Sequence, residues 1–312
     1  MVRLGIALLI LALAGAAWWW VTANRKLSPA DITRAYPTLP APEVPLSVFH
    51  LGHSLVGRDM PAMLAQLAGS GHSYASQLGW GTSLREHWEP ALAINGFDTE
   101  NAHPHFRPAR DAIASGSYNT VVLTEMVEIR DAIKYHKSSK YFSHWADLAR
   151  QANPDTRVYL YETWHHLDDP QGWLNRLDTD LSTQWEDQIL LPDLPRAKTR
   201  PARLIPAGQV MARFARALAE TGGVGDLTGP EDLFARNDDG TLDTIHLNDK
   251  GAYLVALTHY AVLYHRSPVG LPRQLTRADG SPAEAPTAQA AELMQKVVWD
   301  VVTSLPKTGV AP

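Results

Sequence analysis

The chain has 312 residues, 45% of them apolar and 20% charged, with a formal net charge of -5, which suits one large or two ordinary globular domains. No run of Lys and Arg is long enough to track a phosphate backbone, so nucleic acid is not an expected partner. Cysteine is absent, which excludes a thiol nucleophile, a disulfide and a thiolate metal site.

Residues 4–21 are uncharged and apolar and follow Arg3, the pattern of a targeting segment. At 1.5 Å per residue the run is about 27 Å long, close to a hydrocarbon core of about 30 Å, and Trp18, Trp19 and Trp20 would stand at its interface. Residues 1–26 are therefore expected to be a membrane anchor carrying an extracytoplasmic, periplasmic domain. The alternative is a signal peptide cut near Val21 and Ala23, which would give a secreted protein. Pro29, Pro37, Pro40, Pro42 and Pro45 predict an extended linker over 27–45, and the folded domain is expected over 46–312.

In chain order, the pattern predicts a strand at 46–51, a helix at 61–68 and a helix at 84–93. There follow a strand at 120–124, a helix at 141–152, a strand at 157–161, a strand at 203–206 and a helix at 208–220. Residues 168–200 read as an inserted helix and loop, and 248–264 and 287–305 as closing helices. Such alternation predicts an α/β domain in which a central parallel sheet carries helices on both faces.

Chemistry in such sheets sits outside the carboxyl ends of the strands, and there the first strand delivers Gly52-His53-Ser54-Leu55. Read alone, Ser54 is a turn serine. Far along the chain, Asp243-Thr244-Ile245-His246 places a carboxylate three residues before a histidine, in a loop that leads into a helix. Asp243 can bond imidazole Nδ1 and leave Nε2 to take a hydroxyl proton. Together these residues make a candidate triad of Ser54, Asp243 and His246.

A serine early and Asp-x-x-His late resembles the SGNH hydrolases, the GDSL esterase and lipase superfamily, over residues 46–266, with the signature reading Gly52-His53-Ser54-Leu55. The resemblance implies a flavodoxin-like three-layer sandwich, a serine esterase activity and an oxyanion hole formed by the Ser54 N–H, a glycine of the second block and a residue of the third. Leu78-Gly79-Trp80-Gly81-Thr82-Ser83-Leu84 looks like the second block, with Gly81 chosen over Gly79. The third block is divergent: Val121-Val122-Leu123-Thr124-Glu125 has neither the family's glycine nor its asparagine. Thr124 then becomes the expected donor, while Glu125 contacts substrate, points away, or is protonated.

Trp164 and His165, at the end of another strand, are expected to contact substrate. His103, His105, His165 and His166 form no converging ligand set, because neighbours on a strand face opposite sides, and neither metal nor other cofactor is expected. Ten tryptophans are compatible with stacking on sugar rings. The expected reaction is removal of acetyl or short acyl groups from a carbohydrate or small ester. The alternatives are a lipid esterase or acyltransferase on the same triad, or a non-catalytic glycan-binding domain.

Overall fold

The computed structural model describes residues 28–197 and 200–312, and the expected anchor or signal segment at 1–26 lies outside the described residues. Among the described residues no helix is long and apolar enough to cross a membrane. The chain forms two units, Met1–Pro37 and Thr38–Pro312. In the first unit Pro29–Ala35 is helical, which corrects the extended conformation expected there. Proline at the first helical position lacks only an N–H that the helix would not have used. The Ser28 hydroxyl caps the Asp31 N–H at 3.2 Å, and the Asp31 carboxylate returns to the Ser28 N–H at 3.1 Å.

In the second unit five strands lie parallel: β1 (Ser47–Leu51), β2 (Ser73–Gln77), β3 (Thr120–Leu123), β4 (Arg157–Glu162) and β5 (Arg203–Pro206), in the order β2-β1-β3-β4-β5. Alternate residues serve opposite faces. Val48, Val122, Tyr159, Tyr161 and Ile205 join one apolar core with the helices Asp59–Ala68, Ala207–Thr221, Asp249–Tyr264 and Ala288–Ser304. The residues between them, such as Phe49, Val121, Leu160 and Leu204, are also buried. They face a second layer in which Ser138–Ala152 packs against Leu84–Trp88 and Ala109–Ala114. This is the expected flavodoxin-like three-layer α/β sandwich. Strand order reverses between β1 and β3, so the crevice of such a sheet opens at the carboxyl ends of those two strands.

Several elements differ from expectation. β2 carries the polar sequence Ser-Tyr-Ala-Ser-Gln at the sheet edge, where one flank needs no apolar cover. The helix expected over 84–93 stops at Trp88, and Glu89 is extended because Pro90 disfavours helical geometry in the residue before it. The inserted helix Trp173–Asp180 continues as a π-helical segment, Leu181–Leu190. The segment with Asp243 and His246 is a strand rather than a loop: β7 (Leu242–Leu247) pairs antiparallel with β6 (Phe234–Arg236). Asn248 then caps Asp249–Tyr264, accepting from the Lys250 and Gly251 N–H groups while its amide holds the Asp232 and Phe234 carbonyls.

Candidate active site

β1 leaves the sheet through Gly52. A Cβ there would stand 2.4 Å from the Thr124 methyl carbon, so glycine is required by the approach of two strand ends, not by a left-handed turn. The next residue, His53, is buried. The Leu55 N–H donates to its Nδ1 at 3.3 Å, which leaves Nε2–H to donate to the Glu125 carbonyl at 2.8 Å. His87 repeats the device. It accepts the Gln77 amide at Nδ1 (2.9 Å) and donates from Nε2 to the Gly52 carbonyl (2.8 Å). Burial pushes both imidazoles down to about 4, so each is a neutral strut with a fixed tautomer. Between them the struts tie the ends of β1, β2 and β3 together around Ser54, whose own N–H meets no acceptor among the described residues.

The hydroxyl of Ser54 lies 3.0 Å from His246 Nε2, and His246 Nδ1 lies 2.8 Å from Asp243 Oδ2. The other carboxylate oxygen, Oδ1, accepts the N–H groups of Ile245 and His246, each at 3.0 Å. Burial would raise the Asp243 carboxyl, but these N–H groups and the imidazole outweigh it and hold the group below the usual carboxylate range. An ionised Asp243 accepts a hydrogen bond from Nδ1–H, so Nε2 presents its lone pair to the Ser54 hydroxyl. The three residues predicted from two ends of the chain therefore meet in the geometry of a nucleophile, a base and the group that orients the base.

A cavity of about 200 Å³ adjoins Ser54 and His246. Its apolar walls include Leu55, Val56, Met60, Trp164, Leu247 and Val255, with Arg58 and Asp59 at the start of a helix.

The remaining predicted site residues separate. Thr124 is fully buried; its N–H donates to the Leu51 carbonyl at 3.1 Å and its hydroxyl to the Tyr161 carbonyl at 2.8 Å. Both donors are used, so the expectation that Thr124 serves an oxyanion is corrected. Glu125 is also fully buried and accepts the N–H groups of Leu84 (3.2 Å) and Met126 (2.9 Å). Burial raises it to about 7 against those hydrogen bonds. It joins the loop after β3 to the helix Leu84–Trp88 and is not a substrate contact. His165 is buried with Nε2 3.3 Å from Asp180 Oδ2, and it is not a wall of the cavity, so it too is corrected.

Trp164 does line the cavity, but as a buried support whose indole N–H donates to the Ile245 carbonyl at 2.8 Å, one residue before His246. Of the two second-block glycines, Gly79 is held by packing, since a Cβ would stand 2.2 Å from Thr82 Oγ1. Gly81 is exposed, has φ +56° and keeps an N–H that meets no acceptor among the described residues; it is not a wall of the cavity. Arg58, Gln77 and His87 were not anticipated. The only sequence signal for them is polarity in segments otherwise bound for burial.

A scan against protein families finds no match, and neither does a search of the curated proteins. Among solved structures, a DUF4886 family protein from Bacteroides uniformis is similar at 14% identity and TM-score 0.47, over 82% of this chain and 94% of that one. A protein from Parabacteroides merdae described as a GDSL-like lipase is similar at 13% identity and TM-score 0.42, over 72% and 99%. A carbohydrate esterase family 3 protein from Talaromyces cellulolyticus is similar at 17% identity and TM-score 0.35, over 70% and 96%.

Proposed function

We propose that the chain is a divergent SGNH-type serine esterase that hydrolyses short-acyl esters. The observation that carries this reading is the pair of hydrogen bonds from Ser54 Oγ to His246 Nε2 (3.0 Å) and from His246 Nδ1 to Asp243 (2.8 Å). Ser54 Oγ attacks the acyl carbonyl carbon as its proton passes to His246 Nε2, and the carbonyl oxygen becomes an oxyanion. The N–H groups of Ser54 and Gly81 are the proposed donors to that oxyanion, each of a kind whose loss costs roughly 3 to 4 kcal/mol of barrier. Collapse expels the alcohol, which takes the proton from His246, and leaves an acyl-Ser54 ester. Water then gives a proton to His246 as its oxygen attacks the acyl carbon, and collapse breaks the bond to Ser54 Oγ, which takes that proton back from His246 as the carboxylic acid leaves.

The cavity supports a short acyl group. Its volume of about 200 Å³ and its apolar walls give room beside Ser54 for a short acyl chain. An extracytoplasmic setting rests on the sequence of residues 4–21 alone.

The test uses a fluorophosphonate probe and p-nitrophenyl acetate. The wild-type chain is expected to label at Ser54 and turn over the ester, whereas folded Ser54→Ala does neither. Wild-type protein that is folded yet unlabelled and inert would sink the esterase reading.

A further inference from the structure

Among the described tryptophans, Trp145, Trp164, Trp173 and Trp185 are buried, while Trp80 is 52% exposed. A single exposed ring is ordinary on a protein surface, but this one is fixed at three points. Its backbone N–H donates to the Asn95 carbonyl at 2.8 Å, and its indole N–H donates to Glu100 Oε1 at 2.7 Å. The ring also lies against Gly96, where a Cβ would fall 2.2 Å from Cδ2 and 2.4 Å from Cε2. Only glycine at φ +66° lets the ring settle there. The Trp80 side chain is thus held in place while half its surface faces solvent.

The same loop reaches the active site. Arg58, a wall of the cavity beside Ser54, donates to the carbonyls of Thr99 and Glu100, and Trp80 immediately precedes Gly81, the proposed oxyanion donor. Trp80 itself is not a wall of that cavity.

Resting on the esterase reading above, we propose that Trp80 and Glu100 form a saccharide-binding platform for the alcohol side of the ester, so that the substrates are acylated sugars. A pyranose ring has an apolar C–H face and an edge of hydroxyls. The open indole face fits the first, and the carboxylate beside it accepts from the second. A platform ordered before binding loses little conformational entropy when a sugar arrives. An acyl chain or a bare aromatic ring would gain from the indole but find no use for the adjoining carboxylate.

Kinetics of Trp80→Ala and Trp80→Phe on a partially acetylated xylotriose and on p-nitrophenyl acetate test this. The ratio of kcat/KM for the trisaccharide to that for p-nitrophenyl acetate is expected to fall about five- to tenfold in Trp80→Ala, through KM, and to recover in part in Trp80→Phe. An unchanged ratio, or an equal loss on both esters, overturns the platform. Saturation-transfer NMR of the same trisaccharide with Ser54→Ala separates the two proposals. Contact that disappears in the Ser54→Ala, Trp80→Ala double variant keeps the platform even if wild-type protein hydrolyses nothing. Hydrolysis without that contact keeps the esterase and removes the platform.

Discussion

Asp243 has one carboxylate oxygen on two backbone N–H groups and the other on the imidazole, so its acceptor oxygen, not just its size, fixes which ring nitrogen of neutral His246 carries the hydrogen. In Asp243→Asn the amide oxygen can keep the backbone bonds, but its NH2 group then faces Nδ1 and donates to it. The proton of the ring is forced to Nε2, where it blocks acceptance of the Ser54 hydroxyl. The expected result is a loss of kcat of order 10⁴ at neutral pH on p-nitrophenyl acetate with little change in KM, measured by steady-state kinetics on protein that still melts cooperatively. A loss below about tenfold would mean that Asp243 merely supports the turn. This candidate triad was legible in the sequence because Asp243 and His246 are three residues apart and Ser54 follows an apolar strand. The struts were not legible. His53 and His87 bond to carbonyls of Glu125 and Gly52, 72 and 35 residues away, and a bond to a backbone carbonyl leaves no mark on the residue type that accepts it.

The strand that carries Asp243 and His246 lies outside the five-stranded sheet and is held by loops. The chain after β4 binds β7 through Trp164 to the Ile245 carbonyl, the Leu167 N–H to the Thr244 carbonyl at 2.8 Å, and His166 Nδ1 to the Thr244 hydroxyl at 3.0 Å. Behind that chain, buried Arg176 on the helix Trp173–Asp180 pairs with Asp180, Asp169 and Glu128, joining the segments after β3 and β4 to the insertion. Trp164→Phe keeps most of the apolar packing but leaves the Ile245 carbonyl without its donor. It is expected to cost roughly 1 to 3 kcal/mol of stability and to lower kcat about tenfold, because displacement of His246 by a fraction of an ångström spoils the attack geometry. Thermal unfolding and kcat on p-nitrophenyl acetate read both. An unchanged kcat would show that β7 holds His246 unaided. At this scale the inner strands β1, β3 and β4 and the edge strand β5, all four buried along nearly their whole length, were visible in the sequence as apolar runs. β2 and β7 were not, because β2 is a polar strand exposed at its start and β7, in a two-stranded ribbon, buries too little for composition to betray it.

Across the whole molecule, burial falls on titratable groups of both kinds. His53, His72, His87, His259 and His265 are lowered by burial from 6.5 to about 4, and His50 lies well below its usual value for the same reason. Between about pH 4 and 6.5 the folded chain binds fewer protons at these rings than the unfolded chain, so stability rises with pH through that window. Glu125 and Glu162 act in the opposite sense, raised by burial from 4.5 to about 7 and about 8. Above pH 4.5 the folded chain keeps protons that the unfolded chain has lost. The stability these carboxyls confer is therefore full below that point and disappears as pH climbs through 7 and 8. The histidines outnumber the carboxyls, and each tenfold change in a proton-binding constant corresponds to about 1.4 kcal/mol. Acid is accordingly expected to destabilise steeply below pH 6.5, with a maximum near neutrality and a gentler decline toward pH 8.5. Calorimetric melting points over pH 4 to 8.5 check the shape. Glu125→Gln isolates one contribution, since the amide oxygen can still accept from Leu84 and Met126 while nothing titrates. The melting point of this variant relative to wild type should rise between pH 5 and 8.5, and a constant difference across that range would show that Glu125 holds the same charge throughout.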